Sequence, residues 1–297
     1  MSYRAWQVPS RLVNYPQLLI LGAFAGLTIF LGLPIAVLQG LSSKAKGFFN
    51  AFAIGILVFL IIDVFSHAWQ STLDTTFSAF VGKSPVSDGV LDLLALFGGL
   101  ALGLLGLTRY GCRYMRDTPQ PTPAGSRVRG SSGGNQKHEL QLLQQVSSYR
   151  LSMMIAIGIG AHNLSEGLAI GQSYASGSLG LAMMLIIGFA AHNATEGFGI
   201  AAPLTGLSKR PSNRFILLAG LIGGGPTFIG TLLGSFWTSP FAYIFFLSLA
   251  GGALIYVTML MYNSGRRQVT YDILMLGIFV GLTAGFITDL VVTLGGA

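Results

Sequence analysis

The stretch 151–171 reads LSMMIAIGIGAHNLSEGLAIG, and a second stretch, 182–202, reads AMMLIIGFAAHNATEGFGIAA. Both are apolar over the ~20 residues that a helix needs to cross the ~30 Å hydrocarbon core of a bilayer. Each nevertheless carries an imidazole, an amide and a carboxylate: His162, Asn163 and Glu166 in the first, His192, Asn193 and Glu196 in the second. Positions i and i+4 share one face of a helix, so His162 stands beside Glu166 and His192 beside Glu196. An ionisable side chain at the middle of a membrane helix costs at least ~2.5–3.5 kcal/mol. Two such pairs in matching settings point to a divalent cation held on its way across a membrane.

Composition agrees with that setting. Of 297 residues, 52% are hydrophobic and only 9% charged, with a mean hydropathy of +0.66. Soluble domains carry about 25% charged residues, so too few are present to solvate a globular surface. The net charge of +7 would suggest nucleic acid in a soluble protein. Here the basic residues sit in loops between apolar runs, so membrane orientation explains them and no nucleic-acid partner is expected. The single cysteine, Cys112, excludes an intramolecular disulfide and a multi-cysteine metal site.

Eight apolar stretches are long enough to span, at roughly 17–40, 48–70, 89–109, 150–173, 179–203, 214–236, 240–262 and 271–294. The first is about 24 residues, too long for a signal-peptide core, and reads as a retained span. The chain thus divides into spans one to three (1–109), a polar segment (110–149), spans four and five with the candidate metal site (150–203), and spans six to eight (204–297). The polar segment holds Pro119-Gln120-Pro121-Thr122-Pro123, a Gly/Ser run and a Gln-rich run, and reads as a flexible cytoplasmic loop. Its one histidine, His138, makes it no histidine-rich metal buffer.

Fourteen of the 17 Lys and Arg fall in loops on one side of this topology, from Lys44 and Lys46 through Arg150 to Arg266 and Arg267; only Arg4, Arg11 and Lys83 lie opposite. The positive-inside rule puts the fourteen in the cytoplasm and both termini outside, in a multi-pass protein of the cell membrane. Asp63, Asp74, Asp88, Asp92 and Asp289 then fall on or near the outer side, where negative charge raises the local cation concentration.

His162 lies 12 residues past Arg150, ~18 Å deep at 1.5 Å per residue. His192 lies about 13 residues into span five, so antiparallel spans bring both pairs near the midplane, where transporters place their substrates. Imidazole and carboxylate suit zinc, iron, manganese and similar cations, and the absence of sulfur keeps such a site exchangeable. Asn163 and Asn193 either ligate through their carbonyl oxygens or bond between helices. Gly167 and Gly197 read as close helix contacts. Span two carries a third i, i+4 pair, Asp63 and His67, in its outer third, which either receives the cation on its path or is self-paired; Asp92 and Asp289 are further candidates of that kind. Spans six to eight are rich in glycine and carry no ionisable residue in their central thirds, and Pro226 after three glycines predicts a kink or local unwinding of span six.

The paired His-Asn-x-x-Glu-Gly motifs on consecutive spans four and five resemble those of the ZIP family of divalent-metal transporters. Ala51-Phe52-Ala53-Ile54-Gly55 leading to Asp63 and His67 is similar to that family's second span, and Gly225-Pro226-Thr227 through Gly230 and Gly234 to its sixth. The resemblance implies an all-α membrane protein with a three-plus-two-plus-three arrangement, in which inverted three-helix repeats hold the two motif helices. It also implies that His162, Glu166, His192 and Glu196 are primary ligands, with Asn163 and Asn193 at an adjoining second metal position. Three departures stand out: Ser165 and Thr195 where relatives often have proline, Gly225 where many have glutamate, and Leu57 where the family's second span often has methionine, with Met259, Leu260 and Met261 in place of the acidic end of span seven. The first matters because a hydroxyl bonding back to the preceding turn only partly mimics the carbonyl that proline frees. The second removes a carboxylate and favours one well-formed site.

Together these features describe a secondary transporter passing Zn²⁺, with Fe²⁺ and Mn²⁺ as other candidates, into the cytoplasm, not an enzyme. The metal is substrate rather than cofactor, the partners are the metal and the bilayer, and a homodimer is left open. No phosphate-cradling glycine–lysine motif suggests ATP drive. Two other classes share the residues: a zinc-dependent intramembrane hydrolase, which lacks the His-Glu-x-x-His spacing, and a metal-sensing membrane protein whose ion locks two helices.

Overall fold

The computed structural model describes residues 14–38, 42–116, 133–205, 207, 209–236 and 239–294. Eight helices in it are long and apolar enough to cross a membrane, and no strand occurs among the described residues. In chain order they are α1 (Tyr15–Leu27, continued by Ile29–Gly32 and a 3-10 turn, Leu33–Ala36), α2 (Ser43–Phe80) and α3 (Val86–Ala101, continued by a π turn, Leu102–Gly106, and by Leu107–Arg116). Then follow α4 (Gly133–Ala175), α5 (Leu179–Ala201, ending in a 3-10 turn, Ala202–Leu204), α6 (Asn213–Gly234), α7 (Pro240–Gly265) and α8 (Tyr271–Leu294).

Local chemistry sets several of these ends. Asn14 and Gln17 close a reciprocal capping box on α1, and the hydroxyls of Ser42, Ser212 and Ser239 accept from backbone N–H groups in the first turns of α2, α6 and α7. The α4–α5 connection decides the site. Gly177 has φ +80°, Ser178 N–H donates to Ser173 O at 2.9 Å and Gly177 N–H to Tyr174 O at 3.0 Å, a left-handed cap that reverses the chain within three residues. The motif helices are therefore antiparallel neighbours. A Cβ at Gly177 would meet nothing within 4 Å, so Gly177→Ala should cost only the left-handed backbone penalty, about 1–2 kcal/mol, read as a small fall in Tm.

Helix length departs from the sequence reading in two places. Span two, expected at 48–70, is the 38-residue α2, because polarity past Gln70 ends the apolar run without ending the helix; the breaker is Gly82, at φ +74°. Likewise the segment 110–149, expected as a flexible loop, is helical through Arg116 and again from Gly133. Gln, Glu, Lys and Leu in its second half are good helix formers, and they extend α4 below the membrane portion. The proline-containing run of that segment, with the rest of 117–132, lies outside the described residues, as do Arg4 and Arg11. Of the two readings at Pro226, a kink or local unwinding, the second is corrected: α6 stays helical from Asn213 to Gly234.

Packing places the motif helices at the centre. α4 lies against α5, α6 and α7, and α5 also touches α1 and α2; α2 pairs with α8, and α3 with α7. Outward faces are apolar, as at Leu94, Phe97 and Leu105 on α3, Leu217, Leu221 and Phe228 on α6, and Phe279 and Leu290 on α8, which is the surface lipid requires. Glycine allows the central crossings. A Cβ on Gly167 would stand 2.1 Å from Thr227 O of α6, and one on Gly197 2.2 Å from Ile29 O, in the continuation of α1. The final residue of each motif is thus a helix–helix contact point, as its sequence setting suggested.

Candidate metal site

The four motif side chains that share helix faces in sequence also meet across the α4–α5 interface. His162 Nε2 lies 2.9 Å from Glu166 Oε1, and His192 Nε2 contacts the same oxygen from the opposite helix. The imidazole ring centroids are 6.2 Å apart. Imidazole nitrogens from two helices therefore converge on one carboxylate, and the potential ligand atoms of His162, Glu166 and His192 all lie within 4.8 Å of one another. Glu196 stands just outside this trio, its Oε1 4.0 Å from His162 Nε2.

The cluster is dry. His162, Glu166 and Glu196 are 2–4% exposed, and Asn163 and Asn193 are fully buried. Burial of polar groups normally demands partners. Yet seven of the 13 buried side-chain polar atoms without a well-aligned hydrogen bond among the described residues belong to the motifs: His162 Nδ1, His162 Nε2 (whose contact with Glu166 is off hydrogen-bond geometry), Asn163 Oδ1, Glu166 Oε2, Asn193 Oδ1 and both carboxylate oxygens of Glu196. Such a concentration of carboxylate, amide and imidazole atoms is chemistry that a cation satisfies.

Both motifs are anchored in the same way. Asn163 Nδ2 donates to Gly223 O of α6 at 3.0 Å, and Asn193 Nδ2 donates to Ala25 O of α1 at 3.0 Å. The carbonyl of Ala25 sits where α1 is interrupted at Thr28, whose hydroxyl also donates to it at 2.6 Å. The amide nitrogens thus make the helix-to-helix bonds while the amide oxygens stay unpartnered, so the two readings of these asparagines are compatible. Ser165 Oγ donates to His162 O and Thr195 Oγ1 to His192 O, each at 2.7 Å. These bonds back to the preceding turn couple each hydroxyl to the carbonyl of its own histidine. At Gly225 an added Cβ would enter open space, with no atom within 4 Å.

A cavity of about 750 Å³ opens from this cluster toward one end of the bundle. Its floor includes His162, Ser165 and Glu166, and its wall includes Asp63 and His67 of α2. Asp63 Oδ1 and His67 Nε2 are 3.5 Å apart, so the pair is joined to itself and also faces the cavity. Asp92 and Asp289 do not line it; Asp92 is buried within α3. The residues missed by sequence reasoning are the neutral polar ones in the wall: Ser71, Gln172, Ser173, Ser176 and Tyr243. Helical periodicity from the known positions would have found most of them, since Glu166, Ala169, Gln172, Ser173 and Ser176 form one stripe and Asp63, His67 and Ser71 another.

Leu57 and Met261, two of the departures from the family pattern, are buried in the apolar core and take no part in the cavity wall. No curated protein matches the chain. The family model for the ZIP zinc transporter matches residues 113–286, a stretch that contains both His-Asn-x-x-Glu-Gly motifs and more than half of the 297 residues, and the chain belongs to that family.

Proposed function

We propose that the protein passes a divalent metal ion, Zn²⁺ first and Fe²⁺ or Mn²⁺ as further candidates, into the cytoplasm through the buried His/Glu cluster. Family membership implies divalent-metal transport in general. The observation that carries the specific reading is the convergence of His162, Glu166 and His192 from antiparallel helices, with unpartnered oxygens of Glu166, Glu196, Asn163 and Asn193 around them. One ion is held mainly by His162, Glu166, His192 and Glu196, and the asparagine oxygens complete its surroundings. Nitrogen and oxygen ligands without thiolate bind these metals while letting them leave.

Direction follows from charge. α2 runs from Lys44 and Lys46 at one end, through Asp63 and His67 just past its middle, to Asp74 in its last third, and the cavity that reaches the cluster opens toward that acidic half. With the basic end in the cytoplasm, the cluster faces outward in this conformation and both termini are extracytoplasmic. The placement of α4 and α5 against α1, α2, α6 and α7 supports the three-plus-two-plus-three arrangement.

Asp63 and His67 act as the receiving pair. Their removal, as Asp63→Asn with His67→Ala, should raise the KM for uptake several-fold and leave the maximal rate nearly unchanged, because they concentrate the cation without holding it at the centre. Initial rates in proteoliposomes over a range of metal concentrations measure this; an unchanged KM removes the pair from the path. The function itself is tested by competitive uptake of Zn²⁺, Fe²⁺ and Mn²⁺ into proteoliposomes beside a His192→Ala variant. Metal accumulation by the parent and its loss in the variant support the proposal, and equal accumulation by both refutes the site.

A further inference from the structure

A second cavity, of about 540 Å³, lies at the opposite end of the bundle from the metal cavity. Its walls come from four elements: Lys46 at the start of α2, Ser147 and Ser148 on α4, Thr205 after α5, and Asn263 and Arg267 at the end of α7. None of the described residues lining it is acidic and none is a histidine, so two positive charges face a wall of neutral hydrogen-bonding groups. That chemistry repels a metal cation and suits an anion.

Lys46 is already held in place, because its Nζ donates to Thr205 O at 2.7 Å. An ammonium has three donors, so two remain as far as the described residues go, and a side chain fixed in advance loses less freedom when a ligand arrives. Arg267 is exposed and makes no ion pair with an acidic side chain among the described residues. Its planar fork matches phosphate oxygens in a two-bond geometry. The neighbouring hydroxyls and amides would complete the shell. The cavity also lies among the ends of membrane-spanning-length helices, and basic pockets between membrane helices near the cytoplasmic side accept phosphorylated headgroups.

We propose that this cavity binds a phosphate group, carried either by an anionic phospholipid or by a soluble phosphate, between Lys46 and Arg267. The ligand bridges α2 and α7 to α4 and α5 at the end of the bundle where the metal cavity does not reach. This site is independent of the metal reading, since it needs none of the motif residues.

The test uses the purified full chain in detergent at constant ionic strength, with thermal unfolding as the readout. The probes are inorganic phosphate, dihexanoyl phosphatidic acid, and dihexanoylglycerol, which has the same chains without the phosphate. The parent should be stabilised by one or both phosphate probes and not by dihexanoylglycerol. In Arg267→Gln, which leaves the Lys46–Thr205 bond intact, the half-saturating concentration should rise at least about tenfold, as loss of a charge-assisted pair requires. Lys83→Gln, at the other end of the bundle, should respond like the parent. Stabilisation by inorganic phosphate identifies a soluble ligand, and stabilisation by phosphatidic acid alone identifies a headgroup; either upholds the site. The proposal is overturned if neither phosphate probe shifts the parent, if dihexanoylglycerol works equally well, or if Arg267→Gln responds at the parent's concentrations.

Discussion

Glu166→Gln should weaken metal binding at least about 100-fold, since even the loss of a hydrogen bond to a ligand costs 10–100-fold at metal sites, and should abolish uptake at micromolar metal. Glu166 is the one acid whose oxygen contacts both imidazoles, His162 from its own helix and His192 from the facing one. The glutamine keeps the size of the side chain and removes its charge from a residue only 4% exposed, where charge interactions are weakly screened. Glu196→Gln should lose less, because its nearest oxygen is 4.0 Å from His162 Nε2 and outside the convergent trio. Calorimetric titration of the purified variants with Zn²⁺ gives both affinities. Equal losses would show that the two carboxylates contribute alike, and parental affinity in Glu166→Gln would remove the cluster as the metal site.

Gly167→Val should prevent stable assembly, whereas Gly225→Ala on the partner helix should be neutral or mildly stabilising. Both are glycines within apolar helices, and only their neighbours separate them. A Cβ at position 167 would stand 2.1 Å from Thr227 O and 2.7 Å from Thr231 N, backbone atoms that no rotamer change can move. α4 and α6 would have to part at the level of the metal cluster, which also breaks the bond from Asn163 to Gly223 O. Overpacking of this kind costs about 1–3 kcal/mol when side chains can adjust, and more where backbone meets backbone. At Gly225 a Cβ meets nothing within 4 Å, so the substitution chiefly gains the helix preference of alanine, up to about 1 kcal/mol. Size-exclusion behaviour and Tm of the two variants decide between them. Similar behaviour of both would mean that the α4–α6 crossing does not limit stability.

The site was largely legible because its chemistry is local. An i, i+4 spacing is a statement about one turn of helix, and the cost of an ionisable group in lipid turns that spacing into an expectation of a ligand. Depth arithmetic along two antiparallel spans then brought the pairs together, and the structure has His162 and His192 within contact of the same carboxylate. Where sequence reasoning fell short, the signal was of a different kind. The apolar run of span two ends near 70, but α2 continues to Phe80, because apolarity reports the bilayer and not the hydrogen-bonded helix. Pro226 suggested a kink or unwinding, and α6 stays helical through it, with packing against α4 and α1 holding the helix on both sides of the proline.

By itself the sequence determined the eight spans, the antiparallel placement of the two motifs and the residue types available to a metal, because hydropathy, turn glycines and helical periodicity all act over a few residues. Only the tertiary structure decided which of those residues converge. It joined Glu166 to both histidines and left Glu196 at the margin, turned the asparagine nitrogens to Gly223 O and Ala25 O with their oxygens unpartnered, and brought Asp63 and His67 to the wall of the same cavity. These are relations between helices far apart in sequence. They are set by how closely glycine lets the backbones approach, and no local pattern carries that distance.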